Sequence, residues 1–141
     1  MALFTTKEEE LIRQAVEAAE SRTSGEIRIC AEKHCPEETL DRAANYFAKL
    51  DMDKTTLRNG VLIYLATEDH KFAIIGDAGI NKVVPHDFWE TTKEAMLAHF
   101  KSGNLAEGII TGVRMAGEKL QAYFPLQDGD KNELSDDISY M

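Results

Sequence analysis

Two apolar segments decide the fold of this chain: RNGVLIYLA at residues 58–66 and KFAIIGDAG at residues 71–79. Each is rich in apolar and β-branched residues and has the length of a strand, and a short polar connection joins them. A connection this short forms a hairpin, which makes the two strands antiparallel. The second strand leads into Asp77, which has glycines on both sides at Gly76 and Gly79. A carboxylate in such a turn has accessible backbone around it and can receive a cation or a phosphate.

Composition limits the class of protein. The chain has 141 residues, of which 43% are hydrophobic and 29% are charged, values typical of one globular domain. The formal net charge of -9 argues against nucleic acid or an anionic membrane surface as a partner and favours cations. No apolar run is long enough for membrane insertion. Because the first ten residues lack the cationic start and apolar centre of a signal peptide, we expect a cytoplasmic protein.

The remaining apolar residues predict four helices and one further strand. Alternation predicts the strand at residues 27–31, and helical spacing predicts helices after Thr6, after Pro36, starting at Pro85 and over residues 105–123. Thr6 and Glu9 fit a capping box at the start of the first helix. The predicted element order is therefore α-β-α-β-β-α-α.

This order predicts the architecture. A strand–helix–strand unit normally forms a right-handed crossover between parallel strands, so the first two strands should be parallel. Together with the hairpin, this predicts an α/β fold, a three-layer α/β/α sandwich in which a mixed sheet has helices on both faces. The domain should span residues 1–125, and an acidic tail follows at residues 126–141.

The same topology predicts that acidic residues gather at one edge of the sheet. If the strand near Glu26 is parallel to the strand that begins at Gly60, both start at the edge where the hairpin ends before Asp77. Asp87, next to a predicted helix start, is expected nearby. Hard cations such as Ca²⁺ and Mg²⁺ bind several oxygen ligands, among them carboxylates. We therefore predict a divalent metal site with Asp77 as the first ligand and Glu26 and Asp87 as companions.

Structural roles for these residues remain open. Asp77 can cap a turn, and Asp87 in a first helical turn can stabilise the helix dipole. Glu26 can pair with Arg28 or Arg58. The opposite edge carries a second charged group, which we interpret as a solvated surface: Glu32, His34, Glu68, Asp69 and His70.

The acidic tail resembles a calcium-binding EF-hand loop only in part. Asp128, Asp130 and Asn132 match its first, third and fifth positions. Glu133 replaces the required glycine, however, and Ser139 replaces the required glutamate. We therefore reject an EF-hand.

The tail also has two apolar residues, Leu134 and Ile138, which are spaced like one face of a helical turn. Such a turn can dock on the domain, and docking would bring Asp136 towards the predicted metal site as a fourth candidate ligand. The alternative is a frayed acidic tail.

Several short motifs together resemble the TPM domain. These motifs are Ser24-Gly25-Glu26-Ile27, Asn59-Gly60-Val61-Leu62-Ile63, Gly76-Asp77-Ala78-Gly79, and Phe100-x-x-Gly103 with Gly108. The resemblance spans residues 5–124, and the end of the tail is similar to a bacterial subgroup of single-domain members. The resemblance implies a three-layer α/β/α fold and a divalent-cation site near the glycine-rich loop. From plant relatives it also implies a proposed acid phosphatase activity.

Two functions follow from these observations. The first is a Ca²⁺- or Mg²⁺-binding domain that regulates or assembles with another protein, which requires only ligands and a mobile loop or tail. The alternative is a metal-dependent acid phosphatase acting on phosphomonoesters, in which the cation polarises a phosphoryl oxygen and Arg28 or Arg58 offsets developing charge. Because the sequence offers no convincing nucleophile or general base, we favour the binding function.

Overall fold

The computed structural model describes residues 3–126 and 137–141. Its elements are, in chain order, α1 (Thr6–Glu20), β1 (Glu26–Glu32), α2 (Thr39–Lys49), β2 (Gly60–Ala66), β3 (Lys71–Gly76), α3 (Ala78–Asn81), α4 (Phe88–Lys101), α5 (Leu105–Tyr123) and β4 (Ser139–Tyr140). A short 3₁₀ helix, Met52–Lys54, precedes β2. Within these residues, none of the helices has the length and apolarity that a membrane span requires.

The strands form one mixed sheet in the order β3-β2-β1-β4. β1 is parallel to β2, with Glu26 opposite Gly60, and β3 is antiparallel to β2, with Gly76 opposite Val61. The predicted parallel pairing of the first two strands and the hairpin are therefore confirmed. β4 adds a parallel strand of two residues beside β1, which the alternation of apolar residues does not predict.

Each face of the sheet packs against its own helices. Ile29 and Ile63 belong to a core that also contains residues of α1, α4 and α5, whereas Leu62 and Tyr64 belong to a second core with α2. β2 supplies both cores because all seven of its residues are buried. Burying one large apolar side chain contributes about 1.5–3 kcal/mol, so both layers depend strongly on this strand. The predicted three-layer sandwich is confirmed.

The first helix begins with a capping box that is shifted by one residue from the prediction. Thr5 Oγ1 accepts a hydrogen bond from the Glu8 backbone N at 3.1 Å, and Thr5 N donates to Glu8 Oε1 at 2.8 Å. The prediction of Thr6 and Glu9 is wrong because the sequence TTKEEE allows two registers with the same pattern. Phe4, which is only 3% exposed, is buried in the core immediately before the cap. We attribute the observed register to that burial.

The region before α4 also differs from the prediction. The helix begins at Phe88 rather than at Pro85, because the Phe88 N donates to the Pro85 carbonyl and closes a turn there. Upstream of this turn, residues Ala78–Asn81 form the short helix α3. The sequence does not predict α3 because four residues are too few to show helical periodicity.

Candidate functional site

Glu26 and Asp77 lie in the same row at one edge of the sheet. Glu26 is opposite Gly60 in the parallel pair, and the Asp77 N donates to the Gly60 carbonyl at 2.9 Å. Two strand spacings therefore separate the Glu26 and Asp77 backbones, about 10 Å. The predicted register thus brings these two acidic residues to one edge.

The Asp77 carboxylate is already engaged by the protein itself. Its Oδ2 accepts a hydrogen bond from Arg58 Nε at 2.6 Å, and its Oδ1 accepts from Arg58 Nη2 at 2.8 Å. Oδ1 also accepts from the Ala78 N at 2.8 Å, so Asp77 caps α3. The Asp77 side chain is 7% exposed and that of Arg58 is 51% exposed. The hydrogen bonds to Asp77 raise the pKa of Arg58 above its usual value, because they favour the charged guanidinium.

Glycine explains how Arg58 reaches Asp77. Arg58 has a φ of 53°, in the left-handed region, and its carbonyl accepts a hydrogen bond from the Gly79 N at 2.8 Å. A Cβ at Gly79 would lie 2.1 Å from the carbonyl oxygen of Leu57. Only glycine therefore allows the start of α3 to pack this closely on residues 57–58. Gly79 is therefore needed for backbone packing, and Asp77 is needed for the ion pair with Arg58.

The other predicted ligands occupy different surroundings. Glu26 is 1% exposed, and its side chain has a contact partner. Asp87 is exposed at the start of α4, and within the described parts of the chain its side chain makes no hydrogen bond or ion pair. Asp136 lies outside the described residues. In residues 3–126 and 137–141, no three His, Cys, Asp or Glu side chains are grouped so that they could hold a metal ion.

Asp53, next to this edge, is an acidic residue with unused hydrogen-bonding capacity. Its Oδ1 is buried and has no hydrogen-bond partner among the residues that the structure describes. Its charge also contributes to the raised pKa of Arg58, after the larger effect of Asp77. Arg58 therefore lies in the field of two carboxylates. As they stand, these residues fit a bound guanidinium, and they fit a small cation only if Arg58 moves away.

The opposite edge contains a buried polar cluster around Glu32. Arg42 donates from Nε to Glu32 Oε2 and from Nη2 to Oε1, both at 2.9 Å. Tyr46 donates its hydroxyl to Oε1 at 2.9 Å, and Tyr64 donates to Oε2. Because Glu32 is 7% exposed, its interpretation as part of a solvated surface is wrong.

The partners of Glu32 fix its charge. The hydrogen bonds from Arg42 hold the pKa of Glu32 below its usual value, against the opposing effect of burial. Burial and the hydrogen bond to Glu32 raise the pKa of Tyr46 to about 12. Since every oxygen of the Glu32 carboxylate is occupied, this cluster closes the layer under α2 and leaves little capacity for a ligand. The sequence signal available for this cluster was the placement of Arg42 and Tyr46 on the inward-facing side of α2.

The hairpin turn at this edge is held by His34. His34 Nδ1 lies 2.9 Å from Asp69 Oδ1, and its Nε2 lies 2.9 Å from Glu68 Oε2. Asp69 Oδ2 also accepts a hydrogen bond from the Cys35 N at 2.6 Å. The hydrogen bond to Asp69 raises the pKa of His34 above its usual value. The His34 side chain is 66% exposed, so this group is a surface clamp on the turn.

Both cysteines are free and buried. Burial, followed by the charge of Glu32, raises the pKa of the Cys30 thiol to about 12. A thiol with so high a pKa forms almost no thiolate at neutral pH, so Cys30 is not a nucleophile.

The last residues of the chain lie against β1. Arg28 Nε donates to Ser139 Oγ at 3.0 Å, and the Met141 N donates to the Ala31 carbonyl at 2.9 Å. Ile138 is partly buried against the core, and Ser139–Tyr140 forms the short strand β4. The helical turn suggested by the spacing of Leu134 and Ile138 falls mainly outside the described residues. Leu134 and the EF-hand-like residues 128–133 lie outside the described residues.

The fold is similar to solved structures from bacteria. The NMR structure of BA42 protein from the psychrophilic Bizionia argentinensis is 46% identical, and the match covers 99% of this chain and 97% of that one, with a TM-score of 0.92. The N-terminal domain of a protein from P. gingivalis is 20% identical over 87% of this chain and 80% of that one; its TM-score of 0.70 shows a shared fold. No curated protein matches the chain. Residues 1–119 match the TPM domain, so the chain belongs to the TPM domain family.

Proposed function

We propose that this TPM domain binds a divalent cation at the Asp77 edge of the sheet, and that it functions by binding rather than by turnover. The observation that supports this most directly is the position of the Arg58 guanidinium, which is bound by Asp77 and lies in the field of Asp53. The chain already stabilises a positive charge at this point. A net charge of -9 adds a general attraction for cations.

The proposed ligands are Asp77 and Asp53, with Glu26 in the same row as Asp77. Asp53 offers a buried carboxylate oxygen that receives no hydrogen bond from the described residues. Mg²⁺ usually keeps most of its waters and needs few carboxylates, whereas Ca²⁺ takes about six to eight oxygen ligands. Two or three carboxylates at an open edge therefore suit Mg²⁺ better than Ca²⁺. Asp87 and Asp136 remain proposed as additional ligands.

Binding of a cation requires that Arg58 leave Asp77. Half of the Arg58 side chain is exposed, so the guanidinium can turn into solvent. Solvent screens an ion pair with an exposed partner, so this pair is weak and a doubly charged ion can outcompete it. The proposed regulatory event is this exchange. It places a free guanidinium on the surface, where an acidic group of a partner protein can bind it.

The alternative of a metal-dependent phosphatase has less support. The same cation and Arg58 would bind a phosphoryl group. Asp77, however, accepts hydrogen bonds from Arg58 and a backbone amide, and this arrangement activates no nucleophile. Hydrolysis of a generic phosphomonoester with and without chelator tests this alternative directly.

Thermal unfolding in the presence of Mg²⁺ or Ca²⁺ tests the proposal. A cation at ten times its Kd stabilises the folded state by about 1.4 kcal/mol, which raises Tm by about 4–6 °C in a domain of this size. We expect Asp77→Asn and Asp53→Asn to lose this cation-induced shift. Arg58→Gln should increase it, since the competing charge is gone. Asp87→Asn measures whether that residue adds to the site.

Arg42→Gln provides the matched control, because Arg42 makes the same bidentate pair with Glu32 at the opposite edge. Its cation-induced shift should equal that of the wild type, even though we expect its absolute Tm to be lower. Equal shifts in Asp77→Asn and the wild type would overturn the proposed site. If the cation-induced Tm shift increased equally in Arg58→Gln and Arg42→Gln, the increase would be a general effect of net charge and not evidence that the cation displaces Arg58.

A further inference from the structure

A groove lies at the hairpin end of the sheet, away from the Asp77 edge, where the connection between α4 and α5 faces β3. Its volume is about 350 Å³, within the range of small-molecule sites. It is lined by Leu65, Thr67, His70, Phe72, Leu97, Phe100, Lys101, Gly103 and Leu105. The groove is independent of the function proposed above, since it contains none of the residues of the Asp77 edge.

The floor of the groove is aromatic and its position is fixed. The rings of Phe72 and Phe100 meet edge to face with their centroids 4.7 Å apart. Phe100 packs directly on Gly108 of α5, where a Cβ would lie 2.3 Å from its ring. Leu97 beside these rings is 38% exposed. When an apolar group covers a rigid apolar surface that is open to water, the free energy of the system falls, so binding there is favoured.

The charge of the groove is opposite to that of the whole chain. The chain has 25 Asp and Glu against 16 Lys and Arg, yet the lining contains no acidic residue and includes Lys101 and His70. Lys101 has no ion-pair partner in the part of the chain that the structure describes. α5 starts beside the groove at Leu105, and Asn104 provides no side-chain cap for its free amides. Both features favour an anionic group at this rim.

We propose that this groove binds an apolar monocarboxylate of the fatty-acid type. The hydrocarbon tail lies against Phe72, Phe100 and Leu97, and the carboxylate pairs with Lys101 at the rim. An apolar body explains the partly exposed aromatic floor, and a single negative charge explains an acid-free lining in an acidic protein.

Calorimetric titration of the full chain with dodecanoate, below its micelle-forming concentration, tests the proposal. We expect saturable binding of one dodecanoate per chain. Dodecyltrimethylammonium, which has the same tail and a positive charge, should bind at least about tenfold more weakly, because it replaces attraction at Lys101 by repulsion. Lys101→Glu should weaken dodecanoate binding by about tenfold for the same reason.

Two further variants separate the groove from general effects. Lys93→Glu changes the net charge by the same amount as Lys101→Glu, but Lys93 lies on α4 outside the groove. This variant should therefore leave the affinity for dodecanoate unchanged. Leu97→Ala removes apolar contact at a partly exposed position and should weaken binding about threefold without lowering Tm substantially. The proposal is wrong if dodecanoate does not saturate, if the cationic amphiphile binds as well, or if Lys101→Glu and Lys93→Glu behave alike.

Discussion

Tyr64 donates its hydroxyl to the Glu32 carboxylate in the layer between the sheet and α2. The interaction lies in a buried network in which Arg42 supplies the compensating charge. Such networks stabilise the fold only while each polar group keeps its partner, because a buried charge without one costs several kcal/mol.

Arg42→Ala should therefore destabilise the domain by about 3 kcal/mol, since it leaves the Glu32 carboxylate buried without its cation. Tyr46→Phe removes one neutral donor from the same carboxylate and should cost about 1 kcal/mol. Urea unfolding measures both changes. Equal losses in the two variants would contradict the view that charge compensation dominates in this network.

The acid stability of the domain should depend on Glu32. Its pKa is held below its usual value of 4.5 by Arg42, so its contribution to stability is fully present above that value. The contribution is lost as the pH falls through the lower pKa of the folded state. Glu32→Gln should be less stable at neutral pH and should show a flatter decline in acid. Urea midpoints measured across the acidic range provide the comparison.

His34 should act in the opposite direction. Its pKa is raised above 6.5 by the hydrogen bond with Asp69, so its contribution is fully present below pH 6.5 and is lost as the pH rises through the folded-state pKa. His34→Gln should remove this part of the pH dependence, which lies above pH 6.5. His70→Gln, in the same turn, serves as the control because His70 has no such pair within the described residues. If the stability of His34→Gln and of the wild type depended on pH in the same way, His34 would not stabilise the hairpin turn through Asp69.

Gly79 and Gly103 are expected to tolerate alanine to different degrees. A Cβ at Gly79 would collide with the Leu57 carbonyl, so Gly79→Ala should cost more than about 2 kcal/mol and should disturb the Arg58–Asp77 pair. Gly103 has a φ of 83° but no atom within 4 Å of an added Cβ. Gly103→Ala therefore carries only the backbone penalty of about 1–2 kcal/mol. Chemical denaturation distinguishes the two, and a larger loss at Gly103 would contradict this account.

The two cysteines should be inert in the folded protein. Cys30 is 0% exposed and Cys35 is 5% exposed, and burial raises the pKa of Cys30 to about 12. A disulfide-exchange reagent such as Ellman's reagent should therefore react only after unfolding, and the reaction rate should follow the urea unfolding curve. Rapid reaction of either thiol in native conditions would show that the layer under α2 opens locally.

The hairpin could be predicted because its sequence signals are local. Polar residues bound two apolar runs, and the shortness of the connection leaves only an antiparallel return. β4 could not be predicted, since Ser139–Tyr140 becomes a strand only through its contact with β1. The cap of α1 was ambiguous between Thr5 and Thr6 for a similar reason, as the burial of Phe4 is a tertiary effect.

The candidate site was predictable in position but not in detail. Strand direction brings Glu26 and Asp77 to one edge, and a turn-capping role for Asp77 was among the alternatives. The pairing of Arg58 with Asp77 depends on the left-handed backbone of Arg58, a conformation that most residues avoid. Sequence periodicity carries no information about such a conformation.

The late position of β4 in the chain has a consequence for biosynthesis. Until Ser139 and Tyr140 leave the ribosome, Cys30 and Ala31 lack their β4 partners on the outer side of β1. A nascent chain in that condition presents unpaired backbone donors and acceptors that a strand from another copy can capture. We therefore expect chains shortened before residue 139 to associate in a concentration-dependent manner.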